Sequence, residues 1–336
     1  MRHLPLHRPN PPARRSMRRF VCGLAAALAG FACAAQELTV AVSRTSLSLP
    51  FYVAESQKYF ADEGVAVKRL DCIGGPRCLK LMLDGQVPLA TAAEMSVMFS
   101  SFDRADYAII ATFVTSANDL KLLTRKSSGI TSVAQLAGKR IGTVKGTGAH
   151  YFLDAALVFN GLDPQRTELV MLAPEQIGPA LKDGRIDAAS IWEPFAHQSM
   201  RELAADGAVI PGPRLYTLSF NLVADRKLIA ERNADIVKLL RALVRAERFI
   251  RERPLQAQAM LKETLDVDQA YVDATWSDYE YRMSLDQSLV STLEGQARWA
   301  VRESHVPRGS RIPNYLRFVD REALRKAAPD AVTLVK

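Results

Sequence analysis

Lys182-Asp183-Gly184-Arg185-Ile186-Asp187-Ala188-Ala189-Ser190-Ile191-Trp192-Glu193-Pro194 repeats a stretch that the chain has already used. Leu83-Asp84-Gly85-Gln86-Val87-Pro88-Leu89-Ala90-Thr91-Ala92-Ala93-Glu94-Met95 matches it at one constant offset, pairing Asp84 with Asp183, Gly85 with Gly184, Ala90 with Ala189, Thr91 with Ser190 and Glu94 with Glu193. Each copy reads as a helix stopped at its Gly, a short buried strand, and an acidic residue where the next helix starts. Self-similarity of this kind marks a duplicated structural unit.

The flanking sequence carries the same grammar. In the first half, strands are expected at Leu38–Val42, Val65–Leu70, Leu89–Ala92 and 106–114, with helices from Pro50 to Asp62, Cys78 to Leu83 and Glu94 to Phe102. In the second, strands at Leu120–Thr124, Lys139–Val144 and Thr167–Leu172 alternate with helices Ala149–Phe159, Pro174–Lys182 and Pro194–Ala205. Strands alternating with helices imply parallel pairing through right-handed crossovers. The expected fold is α/β with two lobes, each a mostly parallel sheet flanked by helices, their strand ends facing across a cleft. After Ala224 the pattern turns helical; Ile236, Leu239, Leu240, Leu243, Val244 and Ile250 make one apolar face. This tail belongs on the first lobe, giving lobe 1 as 36–123 plus 222–336 and lobe 2 as 124–221, with crossings near Leu122–Arg125 and Ser219–Val223.

Composition excludes little but locates one segment. The formal charge of +8 is concentrated at the start: the first 34 residues hold six arginines and no acid, leaving 38 of the 44 basic residues against 36 acidic ones. A balance so close to neutral gives no reason to expect nucleic acid. Arginines up to Arg19, the apolar run Phe20–Phe31 and Ala32-Cys33-Ala34 read as an export signal over 1–34, with Met1 or Met17 as the start. A soluble periplasmic product is expected, a lipoprotein anchored at Cys33 being the alternative. Cleavage leaves Cys72 and Cys78 in an oxidising compartment, where a disulfide is the parsimonious reading.

Ligands in open parallel sheets sit beyond the carboxyl ends of the strands. That points to Ser43–Pro50 with Ser46 and Ser48, to Gly74-Gly75, to Ala93-Glu94, to Gly146–His150, and to Trp192-Glu193. Gly146-Thr147-Gly148-Ala149-His150 opens a helix, whose free N–H groups and dipole suit an anion. Trp192 offers a stacking face or is core. Glu193 is a carboxylate for an amine or complements its helix start, and Glu94 reads mainly as such a start. His150 stands alone in the sequence. With His, Cys and Asp scattered, no metal site, cofactor or catalytic constellation is expected.

Taken in order, the export signal, Pro50-Phe51-Tyr52-Val53-Ala54, Gly74-Gly75, Leu83-Asp84-Gly85, Leu136-Ala137-Gly138-Lys139-Arg140-Ile141-Gly142, Gly184-Arg185-Ile186-Asp187-Ala188 and Trp192-Glu193-Pro194-Phe195 resemble the nitrate/sulfonate/taurine-type solute-binding proteins of ABC importers. The resemblance implies a type II periplasmic binding protein, a monomer that closes by a hinge around a small solute and passes it to an inner-membrane permease. The implied solute is sulfonate-, taurine- or nitrate-like, or a pyrimidine-type compound. The family's contacts would fall on the loop after the first strand, on Thr147, Gly148, Ala149 and His150, and on Trp192 and Glu193. Competing readings are an enzyme on the same fold acting on a pyrimidine precursor or a sulfinate, and a sensory partner of a membrane receptor.

Overall fold

A computed structural model describes Met1, residues 37–212 and residues 214–335. The expectations for the export signal, Met17 and Cys33 lie outside the described residues. Eleven strands among the described residues form two sheets. They are β1 (Leu38–Ser43), β2 (Val67–Cys72), β3 (Leu89–Ala93), β4 (Tyr107–Ser116), β5 (Leu120–Arg125), β6 (Arg140–Thr143), β7 (Glu168–Met171), β8 (Ala188–Trp192), β9 (Gly207–Ile210), β10 (Leu218–Asp225) and β11 (Tyr279–Glu280). The first sheet runs β11-β4-β10-β3-β1-β2 and the second β7-β6-β8-β5-β9.

The duplication is visible in the pairing. β1 lies between β2 and β3 in parallel, with Val40 opposite Leu89, and β6 lies between β7 and β8 in parallel, with Ile141 opposite Ala188. Gly85 and Gly184, the equivalent residues that end the preceding helices, have φ of +74° and +69°, a region that admits glycine without a Cβ penalty. Outside each parallel core the pairing becomes antiparallel. β10 is antiparallel to β3 and β4, and β5 is antiparallel to β8 and β9. The sheets are therefore mixed: four of the six strands in the first and four of the five in the second share one direction, as expected, and β10, β11 and β5 oppose them. The cause is topological: β5 and β10 carry the chain into a sheet from the other one, so they begin where the parallel strands end. The passages themselves are 117–119 and 211–217, a few residues ahead of the Leu122 and Ser219 positions expected from sequence.

Helices flank both sheets: α1 (Leu49–Ser56), α2 (Tyr59–Asp62), α3 (Gly75–Leu83), α4 (Glu94–Ser100), α5 (Gly148–Phe159), α6 (Ile177–Lys182), α7 (Phe195–Leu203), α8 (Arg226–Glu231), α9 (Asn233–Glu252), α10 (Pro254–Leu265), α11 (Gln269–Thr275), α12 (Gln287–Arg302) and α13 (Glu322–Ala327). The apolar face of α9 is buried through Ile236, Leu239, Leu240, Leu243 and Ile250, and packs on α1 and α13. α12 packs on α4. The helical tail thus covers the first sheet, burying apolar surface that α1 and α4 would otherwise expose. Both sheets and the tail belong to one unit, 35–336. Among the described residues no helix is long and apolar enough to cross a membrane.

Candidate functional site

The carboxyl ends of the parallel strands and the starts of the two passage strands converge on one cleft between the sheets. Its wall is made by Ser43, Thr45 and Leu47 after β1, Gly75 and Pro76 after β2, Ala93 and Ser96 after β3, Thr147, Gly148 and Ala149 after β6, and Trp192 ending β8. Asp119 and Leu120 close it from the start of β5, Leu218 and Phe220 from the start of β10. The free space is about 40 Å³, room for about three waters at 10–15 Å³ each.

Two helices aim their first turns into this space from opposite sides. α3 begins at Gly75 and α5 at Gly148. First-turn N–H groups have no partner within a helix and carry the positive end of its dipole, so the pair favours an anionic head. Gly75 is required where it stands: a Cβ there would lie 3.2 Å from the Ala92 Cα and the Ala93 N, and 3.3 Å from the Phe220 ring. Cys72 and Cys78 are joined by a disulfide that ties the end of β2 to the first turn of α3, directly around this glycine. Thr147 donates its hydroxyl to the Val144 carbonyl at 2.7 Å, holding the entry into α5. Ser43 and Thr45 are buried on the cleft wall with no hydrogen-bond partner for their hydroxyl oxygens. No Lys or Arg is on that wall.

The opposite character comes from Asp119. It is 1% exposed, accepts a hydrogen bond from the Tyr279 hydroxyl at 3.0 Å on Oδ1, and leaves Oδ2 unpartnered. Burial pushes its carboxyl up to about 8, with the nearby Glu193 carboxyl adding to the rise. Glu193 stands behind it: its N–H donates to the Asp119 carbonyl at 3.2 Å, its Oε2 accepts from the His197 N–H at 3.1 Å, and burial raises its carboxyl to about 7. The nearest positive charge, Lys121, is bound to Asp278 at 3.0 Å. An ammonium group placed at Asp119 Oδ2 would therefore find a carboxyl with no cation of its own.

The structure sorts the expected site residues. Gly75, Thr147, Gly148, Ala149 and Trp192 line the cleft. Ser46 and Ser48 do not: Ser46 Oγ is bonded to the Tyr271 hydroxyl at 2.7 Å, and Ser48 is buried beyond the wall, because the loop presents its odd-numbered residues Ser43, Thr45 and Leu47 to the space instead. Glu94 is neither a ligand contact nor a simple helix start. It is fully buried, with Oε1 accepting from the Tyr216 hydroxyl and from Gln296 Nε2 at 2.8 Å, and Oε2 from the Ser219 N–H at 2.9 Å. Its carboxyl joins the second passage and α12 to the start of α4, so its acceptors are spent. Burial raises its pKa against those hydrogen bonds. His150 points away from the cleft, into contact with Trp299 and His305, and is not alone. Glu193 acts on the wall through Asp119 rather than on it. Ser43 and Thr45 fall in the expected stretch Ser43–Pro50, where Ser46 and Ser48 were singled out instead; Ser96 and Asp119 lie outside the expected stretches, and Asp119 sits in the passage between sheets, which the local pattern of strands and helices does not single out.

Known proteins with this arrangement are numerous. The chain is 28% identical over 258 residues to the taurine-binding periplasmic protein of Escherichia coli K12, covering 74% of this chain and 71% of that one. It is 26% identical over 243 residues to a putative aliphatic sulfonates-binding protein of Bacillus subtilis 168, covering 71% and 72%. The crystal structure of the periplasmic aliphatic sulphonate binding protein SsuA from Escherichia coli superposes with a TM-score of 0.74 at 18% identity, covering 85% of this chain and 92% of that one. This is the two-sheet fold of periplasmic binding proteins, with the cleft where their strand ends meet. Residues 46–257, from the cleft loop after β1 through β2 to β10 and into α10, match the family described as NMT1/THI5 like, and the chain belongs to that family.

Proposed function

We propose that this protein is the extracytoplasmic solute-binding component of an ABC importer and that its solute is a small aminosulfonate, a zwitterion of the taurine type. The observation that carries the solute class is the division of the cleft. One side offers the helix starts at Gly75 and Gly148 with the free hydroxyls of Ser43 and Thr45; the other offers the unpartnered Asp119 carboxyl. Dipoles and neutral donors bind a sulfonate without a cation that would repel the amine. Asp119 then takes the ammonium. The relatives named for taurine and sulfonates support the class, and their periplasmic location supports export through the N-terminal segment, with a soluble monomer that hands its solute to an inner-membrane permease. The enzyme reading requires a reactive Cys or His in the cleft; Cys72 and Cys78 are bonded to each other, and His150 packs on Trp299 and His305 instead.

Calorimetric titration with taurine, ethanesulfonate and ethylamine tests this. Taurine is expected to bind well above ethanesulfonate, ethylamine to bind weakly or not at all, and Asp119→Asn to erase the preference for taurine while sparing ethanesulfonate. Equal affinity for taurine and ethanesulfonate would remove Asp119 from the reading; no binding of either sulfonate would end it.

A further inference from the structure

On the far side of α5 from the cleft, two histidines and an aspartate meet. His150 and Asp154 lie one turn apart on α5, and His305 reaches them from the segment after α12. One ligand atom from each lies within 4.8 Å of the other two. His150 is 1% exposed and neither of its ring nitrogens has a hydrogen-bond partner; Asp154 is 4% exposed with Oδ1 unpartnered; His305 Nε2 is buried and unpartnered. The His150 and His305 rings stand 4.6 Å apart between centroids, and His305 Nε2 is 3.8 Å from Asp154 Oδ2. Trp299 Nε1 donates to that same Oδ2 at 3.1 Å, which holds the carboxylate in place, while Oδ1 has no partner. Leaving several buried polar atoms unpaired in one place is costly, and a shared cation satisfies them together.

We propose that His150, Asp154 and His305 form a binding site for a divalent transition metal, with zinc as the matching ion. Two imidazoles and one carboxylate are a zinc donor set of three protein ligands with a fourth position open, whereas calcium and magnesium take oxygen ligands. Bonds of about 2.1 Å put tetrahedral ligand atoms about 3.4 Å apart, so the three groups close by little more than an ångström, and His305, the least buried of the three, supplies that movement. Trp299 is the supporting partner that orients the carboxylate. A surface pocket of about 330 Å³ lined by Tyr151, Asp154, Trp299 and Glu303 opens beside the carboxylate of the trio. α5 packs on β5 and β8, while α12 packs on α4, so the ion ties the second sheet's side of the molecule to the first. It also fixes the helix whose first turn, at Gly148, faces the cleft.

The test uses the untagged full chain, stripped with chelator and titrated with Zn²⁺ and with Co²⁺, with no solute present. One ion per chain is expected, with a four-coordinate visible spectrum for Co²⁺ and a higher thermal midpoint with Zn²⁺. His305→Ala, at the least buried of the three positions, is expected to keep the chelated protein's fold and midpoint while losing the Co²⁺ spectrum and more than the roughly 10- to 100-fold in affinity that removal of a supporting partner alone costs. Asp154→Asn is expected to lose the same spectrum. Failure of the unmodified chain to bind either ion at micromolar concentration overturns the proposal. So does an unchanged Co²⁺ spectrum in His305→Ala, which would place the ion elsewhere, for example on His3 and His7.

Discussion

Asp119 gives the cleft its pH response. An unfolded aspartate titrates near 3.9, whereas burial holds the folded one at about 8. Between those values the folded chain keeps a proton that the unfolded chain has released, so the free energy of unfolding falls as pH rises through the window and levels off above it. Glu193, raised to about 7, contributes in the same direction over a narrower range. We expect denaturant midpoints of the solute-free protein to drop between about pH 5 and about pH 8, and Asp119→Asn to flatten most of that drop; an unchanged slope in the variant would mean the carboxyl ionises normally. The solute reads the same proton differently. An ammonium needs the carboxylate, so taurine affinity is expected to rise through this window by up to about tenfold per pH unit, while ethanesulfonate, which gains only from the protonated acid, should not rise. A residue of this kind is hard to see in sequence. Nothing around Asn118-Asp119-Leu120 marks a site, and its function depends on Tyr279, distant in the chain. The loop after β1 was legible as a site, but its facing residues were not: the backbone turns at Arg44, where the Thr45 N–H donates to the Ser43 carbonyl at 2.9 Å, before the helical turn of Ser46–Ser48 begins, and Ser46 is bonded to Tyr271.

At the scale of elements, the disulfide between the end of β2 and the first turn of α3 holds the helix start that we propose meets the anion. Closing a loop this short removes about 2 kcal/mol of chain entropy from the unfolded state. Cys72→Ser with Cys78→Ser is expected to lower stability by about that amount, read from denaturant midpoints, and to weaken ethanesulfonate and taurine alike, because the α3 start meets the group they share. Loss of taurine binding alone would place the anion elsewhere. The repeat, the parallel cores and the alternation of β1–β3 and β6–β8 with their helices were legible because period, glycine stops and buried strands agree at each step. β4 and β5 were legible as strands but not as antiparallel partners, and β9, β10 and β11 were not legible as strands. β9 and β10 follow α7 in a stretch where Pro211 and Pro213 break the local pattern, and Ser219–Val223 read as a crossing because no local signal says which sheet a strand will join. Pro50–Asp62 read as one helix but forms two, since Lys58 takes φ +58° between them.

For the molecule as a whole, the narrow cleft means that a solute enters only when the two sheets part, so whatever holds their rims together sets how fast it leaves. One such contact is a charge pair at the rim. Arg77 on α3 meets Glu175, in the turn before α6, with Nη1 to Oε1 at 2.5 Å and Nη2 to Oε2 at 3.3 Å. Both side chains are substantially exposed, and pairs of that kind are worth roughly 0.2–1 kcal/mol. The guanidinium lowers the Glu175 carboxyl below its usual range, so the pair weakens only in acid and is constant across the window in which Asp119 titrates. Breaking it is therefore separable from the chemistry of the site. We expect Arg77→Ala or Glu175→Gln to speed taurine release up to about fivefold, the limit for about 1 kcal/mol, with the affinity profile against pH unchanged in shape. Exchanging the charges, Arg77→Glu with Glu175→Arg, should restore slow release, and raised salt should cancel the difference between all four proteins, because an exposed pair is screened. Stopped-flow displacement of taurine reads these rates directly. If the single variants release at the original rate in low salt, the rim pair is an incidental surface contact, and the hold on the closed form lies in the buried Glu94–Tyr216–Gln296 network at the second passage instead.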